Sequence, residues 1–439
     1  MGRILLLLIT LALLPRASIG EDLLFRLHGS NTIGEQLAPA LVAAWLERDG
    51  FDRIEVSHQA ELERIITGID NHGIRRAVQI HAHGSSTSFR DLAAGRADLG
   101  MSSRRIRTAE IEQLLALGRL DDARHEVVVG IDGLAVIVHP DNPVSALSIE
   151  QIRSIFSGRI RNWQGVGGHP GPIGLYARDD KSGTFDSFDS MVMQGEALSD
   201  HAQRFESSSE LSNRVAADRN GIGFIGLPYI QQSRALAVSS GASRVLPERF
   251  SSATEDYPLS RRLYMYVPED QLSGAAGDFA QFVVSNAGQR IVDEIGFIGQ
   301  AIETRALTPP VNAPENYRNF VRGALRASMN FRFEQGMPVL DSKSKRDLER
   351  LVNFLREPAN RGYRLMLMGF ADPAETMKYY ALSLSNDRVD YVATLLQQHD
   401  IPVFRVRGFG DSLPLAEATG PASAVKNRRV EVWLMPRRG

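Results

Sequence analysis

Four short strands in this chain each run directly into a helix through a turn built from Ser, Thr and Gly, and that repeated junction is the strongest constraint on the fold. The first is a strand over 23–27 followed by His28-Gly29-Ser30-Asn31-Thr32 and an apolar helix over 37–46. The second is a strand over 78–82 with Gly84-Ser85-Ser86 and a helix over 89–94. The third is a strand over 97–101 with Ser102-Ser103-Arg104 before a helix over 108–117. The fourth is a strand over 173–177 leading through Arg178-Asp179-Asp180-Lys181-Ser182-Gly183-Thr184 into a helix start over 185–192. Such a turn exposes backbone N–H groups that lack helical partners, and its hydroxyls add further donors. One such turn is an ordinary N-cap. Four predict helix N-termini gathered around one anion, in an α/β fold that binds outside the carboxyl ends of its strands. Arg178 adds a planar guanidinium able to grip two oxygens of an oxyanion at once.

The remaining bounds narrow the class. A chain of 439 residues has room for two or three domains, each with its own core. A formal net charge of −2 and scattered Arg residues give no basic tract, so no nucleic-acid partner is expected. Residues 1–20 combine a basic start, an apolar stretch over 4–14 and small residues over 17–20, which predicts a secretory signal peptide. No other apolar run reaches the ~20 residues of a spanning helix. Cys is absent, so disulfides, thiolate metal sites and a lipidated cysteine are excluded.

Further along, 133–138 is a continuous apolar run expected to be a strand buried on both faces, and Ser148 is expected to cap a helix reaching Phe156. Residues 220–226 read as a glycine-dense strand, 257–267 as a strand returning to the first half, and 279–295 as one amphipathic helix. The prolines at 309, 310 and 314 predict an extended linker over 306–327. Beyond it, strands around 330–333, 364–370, 404–410 and 427–433 with helices over 342–355 and 382–397 form a separate small α/β domain over 328–439.

Residues 21–305 resemble the periplasmic phosphate-binding proteins that serve ABC transporters. The carriers, in order, are Gly29-Ser30-Asn31-Thr32, Gly84-Ser85-Ser86, the run from Ala97 to Arg104, the run from Ile155 to Trp163, Arg178 with Ser182-Gly183-Thr184, the run from Asn220 to Gly226, and Ser285-Asn286-Ala287-Gly288-Gln289. The resemblance implies a two-lobed (type II) periplasmic-binding-protein fold that closes on its ligand about crossover strands. It implies inorganic phosphate held by Ser30, Thr32, Ser85 and Ser103 from one lobe and by Arg178, Ser182, Gly183 and Thr184 from the other. It also implies an ABC permease as a further partner, no catalytic residue and no cofactor. Where the enteric relative has an Asp that accepts the proton phosphate carries, this chain has Ser103; Asp98, Asp179 and Asp180 are the acids that could stand in.

Residues 328–436 resemble the OmpA-like peptidoglycan-binding domains of Gram-negative bacteria. The resemblance rests on Phe331-Arg332-Phe333, Gly369-Phe370-Ala371-Asp372, Leu384-Ser385-Asn386-Asp387-Arg388, Gly408-Phe409-Gly410-Asp411 and Asn427-Arg428-Arg429-Val430-Glu431. It implies that Asp372 takes the ammonium and Arg388 the carboxylate of a diaminopimelate stem. The family's His-Thr before the Asp is Phe370-Ala371 here, and its later Gly is missing. Together the two resemblances imply an oxyanion-binding protein tethered to the wall in a Gram-negative periplasm. Two other readings stay open on the residues: an interaction protein with a relaxed or lost anion site, and a phosphatase-like hydrolase with Ser182 or Ser85 as nucleophile. His81 and His83 alternate on a strand and so share a face, but no third ligand stands near them in sequence and no metal site is expected.

Overall fold

The computed structural model describes residues 22–437 apart from positions 61, 181, 241–242, 311–312, 335–338, 376 and 417–424. The leader expected over 1–20 lies outside the described residues, and among those described no helix is long and apolar enough to cross a membrane.

The strand Glu126–Val138 organises the first domain. All thirteen of its residues are buried, as a strand covered on both faces requires. Its first half pairs antiparallel with Ser260–Tyr266 and its second half with Gly221–Gly226, so one strand passes through both lobes. On the first-lobe side the sheet continues from Ser260–Tyr266 through Leu99–Ser102, Asp22–Gly29, Arg75–His81 and Glu63–Ile69 to Asp52–Ala60. On the second-lobe side it continues through Gly174–Arg178 to Gln203–Phe205. This is the two-lobed α/β architecture expected. Each lobe has its own apolar core, one around Phe25, Leu41, Trp45 and Phe279, the other around Val136, Phe156, Phe188 and Phe224.

Local expectations hold where cap chemistry is explicit. Ser148 Oγ accepts from Gln151 N at 3.1 Å and starts the helix Ile149–Phe156. The amphipathic stretch over 279–295 is corrected to two helices, Ala275–Val284 and Asn286–Glu294. Ser285 divides them by capping the second, its Oγ accepting from Gly288 N at 3.2 Å.

The second domain is a five-stranded sheet ordered Thr304–Arg305, Leu325–Arg332, Arg429–Pro436, Tyr363–Phe370, Val403–Gly408, with the helices Ser342–Arg356 and Lys378–Gln397. The expected extended linker over 306–327 is not what the described residues show. Thr304–Arg305 already pairs with the second-domain sheet, and Glu315–Val321 is a helix started by Pro314. Tyr317 and Val321 pack with Met366, Met368, Phe370 and Trp433, so the segment covers one face of the sheet. The prolines punctuate the helix start rather than stiffening a spacer.

The two domains meet through a belt of buried charge. Glu255 lies 2.9 Å from Arg262 Nε, 3.3 Å from Arg332 Nε and 3.7 Å from Lys343 Nζ. Arg262 also donates to Asp341 at 2.7 Å, and Arg332, 0% exposed, donates to the Thr254 carbonyl at 3.0 Å. Asn330 bridges to Thr254 and Asp256, and Arg105 joins Glu126 to Glu334. Burial alone would raise the Glu255 carboxyl, but Arg262, Arg332 and Lys343 overcome it and hold it at about 2. Lys426 donates to the carbonyls of Tyr257 and Pro258 at 2.7 and 2.9 Å, and burial with the nearby Arg332 pushes its ammonium down to about 7.

Both shifts make stability rise with pH, each in its own window. Glu255 titrates lower in the folded state than the ~4.3 of a free Glu, so its stabilisation is present above that value and is lost as pH falls toward about 2. Lys426 titrates below the ~10.4 of a free Lys. The unfolded chain therefore binds the extra proton, and stability rises with pH from about 7 toward that value. Glu255→Gln leaves Arg262, Arg332 and Lys343 without their shared carboxylate and is expected to cost about 3–5 kcal/mol. Urea denaturation between pH 2 and 6 checks the role of Glu255: the variant should be less stable at pH 6 and fall less steeply than the wild type below pH 4, where Asp341 and Glu431 still titrate. Equal stability of the two proteins at pH 6 would contradict the role given to Glu255.

Candidate functional site

In the first lobe, three adjacent parallel strands, Arg75–His81, Asp22–Gly29 and Leu99–Ser102, end at one edge, and each is followed by one of the hydroxyl-rich turns. Gly29, at φ 139°, allows this convergence: a Cβ there would lie 2.0 Å from the Met101 carbonyl oxygen. Ser30 N donates to that same oxygen at 2.9 Å, and Gly84 N donates to the Gly29 carbonyl at 2.8 Å, so the turns are tied backbone to backbone. Ser85 Oγ accepts from Ser103 N at 3.0 Å and lies 3.1 Å from Ser103 Oγ. Ser30 is buried, and its hydroxyl has no hydrogen-bond partner among the described residues.

In the second lobe, Arg178 ends the strand Gly174–Arg178, and Ser182 caps the helix Gly183–Phe188 by accepting from Thr184 N at 3.2 Å. The guanidinium is aimed by neutral oxygens: the carbonyls of Phe205 at 3.2 Å and Glu206 at 2.7 Å, and the hydroxyl of Ser208. Among the described residues no carboxylate pairs with it, so its charge is free to meet an anion. The lobes touch at Gly183. Thr32 Oγ1 donates to the Gly183 carbonyl at 3.1 Å, and a Cβ on Gly183 would lie 2.5 Å from Thr32 Cα.

The cleft holds a cavity of about 270 Å³ whose wall includes Thr32, Asp132, Arg178, Ser182, Gly183 and Thr184. Five of the eight anion-site residues expected from the sequence thus share one wall. Ser30, Ser85 and Ser103 do not line it; they form the adjoining first-lobe edge. The helices behind these turns, Asn31–Gly34 and Gly183–Phe188, are only one or two turns long, so local N–H groups rather than long macrodipoles supply the field.

Sequence reading missed the centre of the cleft. Arg261 donates to Thr32 Oγ1 at 2.9 Å and to the Gly183 carbonyl at 3.4 Å, reaches Ser187 Oγ, and pairs with Asp132 at 3.3 Å. Ser187 Oγ in turn donates to Asp132 at 3.0 Å. One side chain from a crossover strand therefore bridges both lobes. Burial, opposed by the charge of Arg261, raises the Asp186 carboxyl nearby. The signal was present in the chain: Asp132 interrupts an otherwise apolar run, and Arg261-Arg262 sits inside a strand flanked by aromatics. Two of the three candidate proton acceptors are engaged by other guanidiniums, Asp98 with Arg26 at 2.7 Å and exposed Asp180 with Arg204 at 2.6 Å.

In the second domain, Asp372 follows the end of the strand Tyr363–Phe370 and Arg388 reaches that same end. Asp372 accepts from Asn427 Nδ2 at 2.8 Å and Ala374 N at 2.9 Å, and Arg388 donates to the Phe370 carbonyl at 3.2 Å. The Arg388 guanidinium is engaged within the domain, with Nη2 2.5 Å from Glu375 Oε1 and Arg428 Nε 3.1 Å from the same oxygen. Arg388 Nε and Arg428 Nη1 are buried without hydrogen-bond partners among the described residues. Two guanidiniums thus share one internal carboxylate with donors to spare.

Comparison with known proteins agrees with this architecture. Residues 67–287, half of the chain, match the model of the PBP superfamily domain, and residues 332–428 match that of the OmpA family. The phosphate-binding protein PstS of Pseudomonas aeruginosa is 31% identical over 240 residues, covering 50% of this chain and 73% of that protein. The phosphate-binding protein PstS of Bacillus subtilis is 30% identical over 223 residues, covering 50% and 70%. The crystal structure of a possible phosphate binding protein from Planctomyces limnophilus superposes with a TM-score of 0.51 at 22% identity, covering 69% of this chain and 96% of that one, and shares the fold. The chain belongs to the PBP superfamily and carries an OmpA-family domain at its C-terminal end.

Proposed function

We propose that the cleft binds inorganic phosphate, or a closely similar tetrahedral oxyanion, between the two lobes without altering it, and that the C-terminal domain attaches the protein to peptidoglycan. The observation that carries the first part is the uncompensated guanidinium of Arg178 on the same wall as Ser182, Gly183, Thr184 and Thr32. A strong cation surrounded by neutral N–H and O–H donors desolvates a doubly charged anion without a full counter-charge. The unpartnered Ser30 hydroxyl and the linked pair Ser85 and Ser103 supply donors from the first-lobe edge. The relatives named above as phosphate-binding proteins support the same ligand. A nucleophile reading for Ser182 finds no imidazole among the described residues of the cavity wall, and its hydroxyl already accepts from Thr184 N.

For the second part, Asp372 and Arg388 stand together as an acid and a base suited to the zwitterionic end of diaminopimelate. The setting is the periplasm of a Gram-negative cell, with the wall as the anchor and an ABC permease as the recipient of the anion. Attachment keeps the capture domain at high local concentration near the membrane.

Three measurements test these roles. In titration calorimetry of anion-stripped protein, Arg178→Ala should weaken phosphate binding by about 10- to 100-fold, the loss of one charge-assisted contact. Sulfate should compete measurably, because Ser103 supplies no fixed negative charge to reject it. A flat phosphate trace for the wild type would overturn the binding reading. Gly183→Ala should hold the lobes apart, since its new methyl group meets the Thr32 backbone. X-ray scattering in saturating phosphate should then give a larger radius of gyration than the wild type, and equal radii would contradict the closing contact. In peptidoglycan pull-down, Asp372→Ala should reduce retention and Glu375→Gln should increase it by releasing Arg388 and Arg428 for the ligand carboxylate. Equal retention of all three proteins would remove the diaminopimelate assignment.

A further inference from the structure

We propose that Glu63, His81 and His83 form a binding site for one divalent transition-metal ion of the zinc class on the first lobe, separate from the anion cleft. His81 ends the strand Arg75–His81 and His83 follows two residues on, and the two rings lie edge to face with centroids 5.9 Å apart. The third ligand comes from the neighbouring antiparallel strand, where Glu63 is the residue paired directly with His81. The structure therefore supplies the partner that local sequence lacked.

The three side chains already converge. Glu63 Oε1 lies 2.9 Å from His83 Nε2, Glu63 Oε2 lies 3.8 Å from His81 Nε2, and the candidate ligand atoms all lie within 4.8 Å of one another. Tetrahedral zinc with bonds of ~2.0–2.1 Å wants ligand atoms roughly 3.3 Å apart. Side-chain torsions on two partly exposed residues, Glu63 and His83, can supply that contraction without moving the strands. Two imidazoles and one carboxylate suit zinc and its neighbours rather than calcium or magnesium, and three protein ligands leave a fourth position for water.

A second, independent observation comes from His28. Its ring stacks on His81 at a centroid separation of 4.3 Å, and its Nδ1 lies 2.9 Å from Asp91, which Arg96 also holds at 2.6 Å. Asp91 takes up Nδ1, which leaves Nε2 as the other nitrogen of the ring. That atom is buried and has no hydrogen-bond partner among the described residues. The Asp91–His28 pair fixes the plane against which His81 packs and so holds that ring in place for ligation.

The test uses untagged full-length protein dialysed against EDTA and then into chelator-free buffer. Calorimetric titration with Zn²⁺ should give one site, and Co²⁺ should show the visible absorption of a four-coordinate ion. The double variant Glu63→Gln, His83→Ala should lose the Co²⁺ spectrum and bind Zn²⁺ more weakly by about tenfold or more. Phosphate titration of the same variant should match the wild type, which shows that the lobe is folded. Absence of Zn²⁺ binding by the wild type, or an unchanged Co²⁺ spectrum and affinity in the folded double variant, would overturn the proposal.

Discussion

Arg261 and Arg262 are neighbours on the strand Ser260–Tyr266, and the twofold alternation of a strand sends their side chains to opposite faces. Much of the structure depends on that consequence. Arg261 enters the cleft and joins Thr32 of one lobe to Gly183 and Ser187 of the other, with Asp132 as its counter-charge. Arg262 enters the domain interface and joins Glu255 to Asp341. Both guanidiniums are largely removed from water, which is tolerable only because each has a carboxylate and further acceptors in place. A shift of this strand's register by one residue would exchange the two faces and leave both networks unpaired.

The interface so built limits how the two domains move against each other. A flexible spacer would let the capture domain sample a volume set by its length. Here the segment between the domains is itself folded against the second sheet, with Tyr317 buried and hydrogen-bonded to Glu431 at 3.0 Å. The charged belt then fixes the second domain against the crossover strands. Such a belt adds less net stability than an apolar interface of equal size, because every ion loses its hydration. What it adds is geometric selectivity, since a shifted dock would leave the buried charges of Arg262, Arg332, Lys343 and Lys426 without their partners.

The legible parts of the chain were those whose chemistry is local. The strand-to-helix turns, the Ser148 cap and the buried run ending at Val138 each carry their reason within a few residues, and the structure places them accordingly. What could not be read depends on partners distant in sequence. The strand Asp52–Ala60 is mostly exposed and lacks the apolar alternation that would announce it; its pairing with Glu63–Ile69 is what makes it a strand. Arg178 was found because it adjoins a Ser-Gly-Thr turn, whereas Arg261 was missed because its partners Thr32 and Asp132 are far from it along the chain. Glu375 illustrates a third case. No sequence signal marked this carboxylate, and its place between Arg388 and Arg428 depends on the fold.

The same geography constrains how the cleft can open. The belt is anchored on the first lobe by Arg105 and Glu126, and near the second lobe by Thr254 to Pro258. Tyr257, within that second anchor, has its ring in the second-lobe core and donates its hydroxyl to the Leu134 carbonyl at 2.8 Å. A rotation of one lobe against the other about the crossover strands therefore moves the two anchors relative to each other. Either the second domain follows one lobe and gives up its contacts to the other, or the belt bends and lengthens its hydrogen bonds. Both routes place buried charges at worse distances, so the free energy of opening contains a contribution from the interface as well as from the cleft. By linkage, an anion that favours closure also favours the dock, by the coupling free energy between the two and no more.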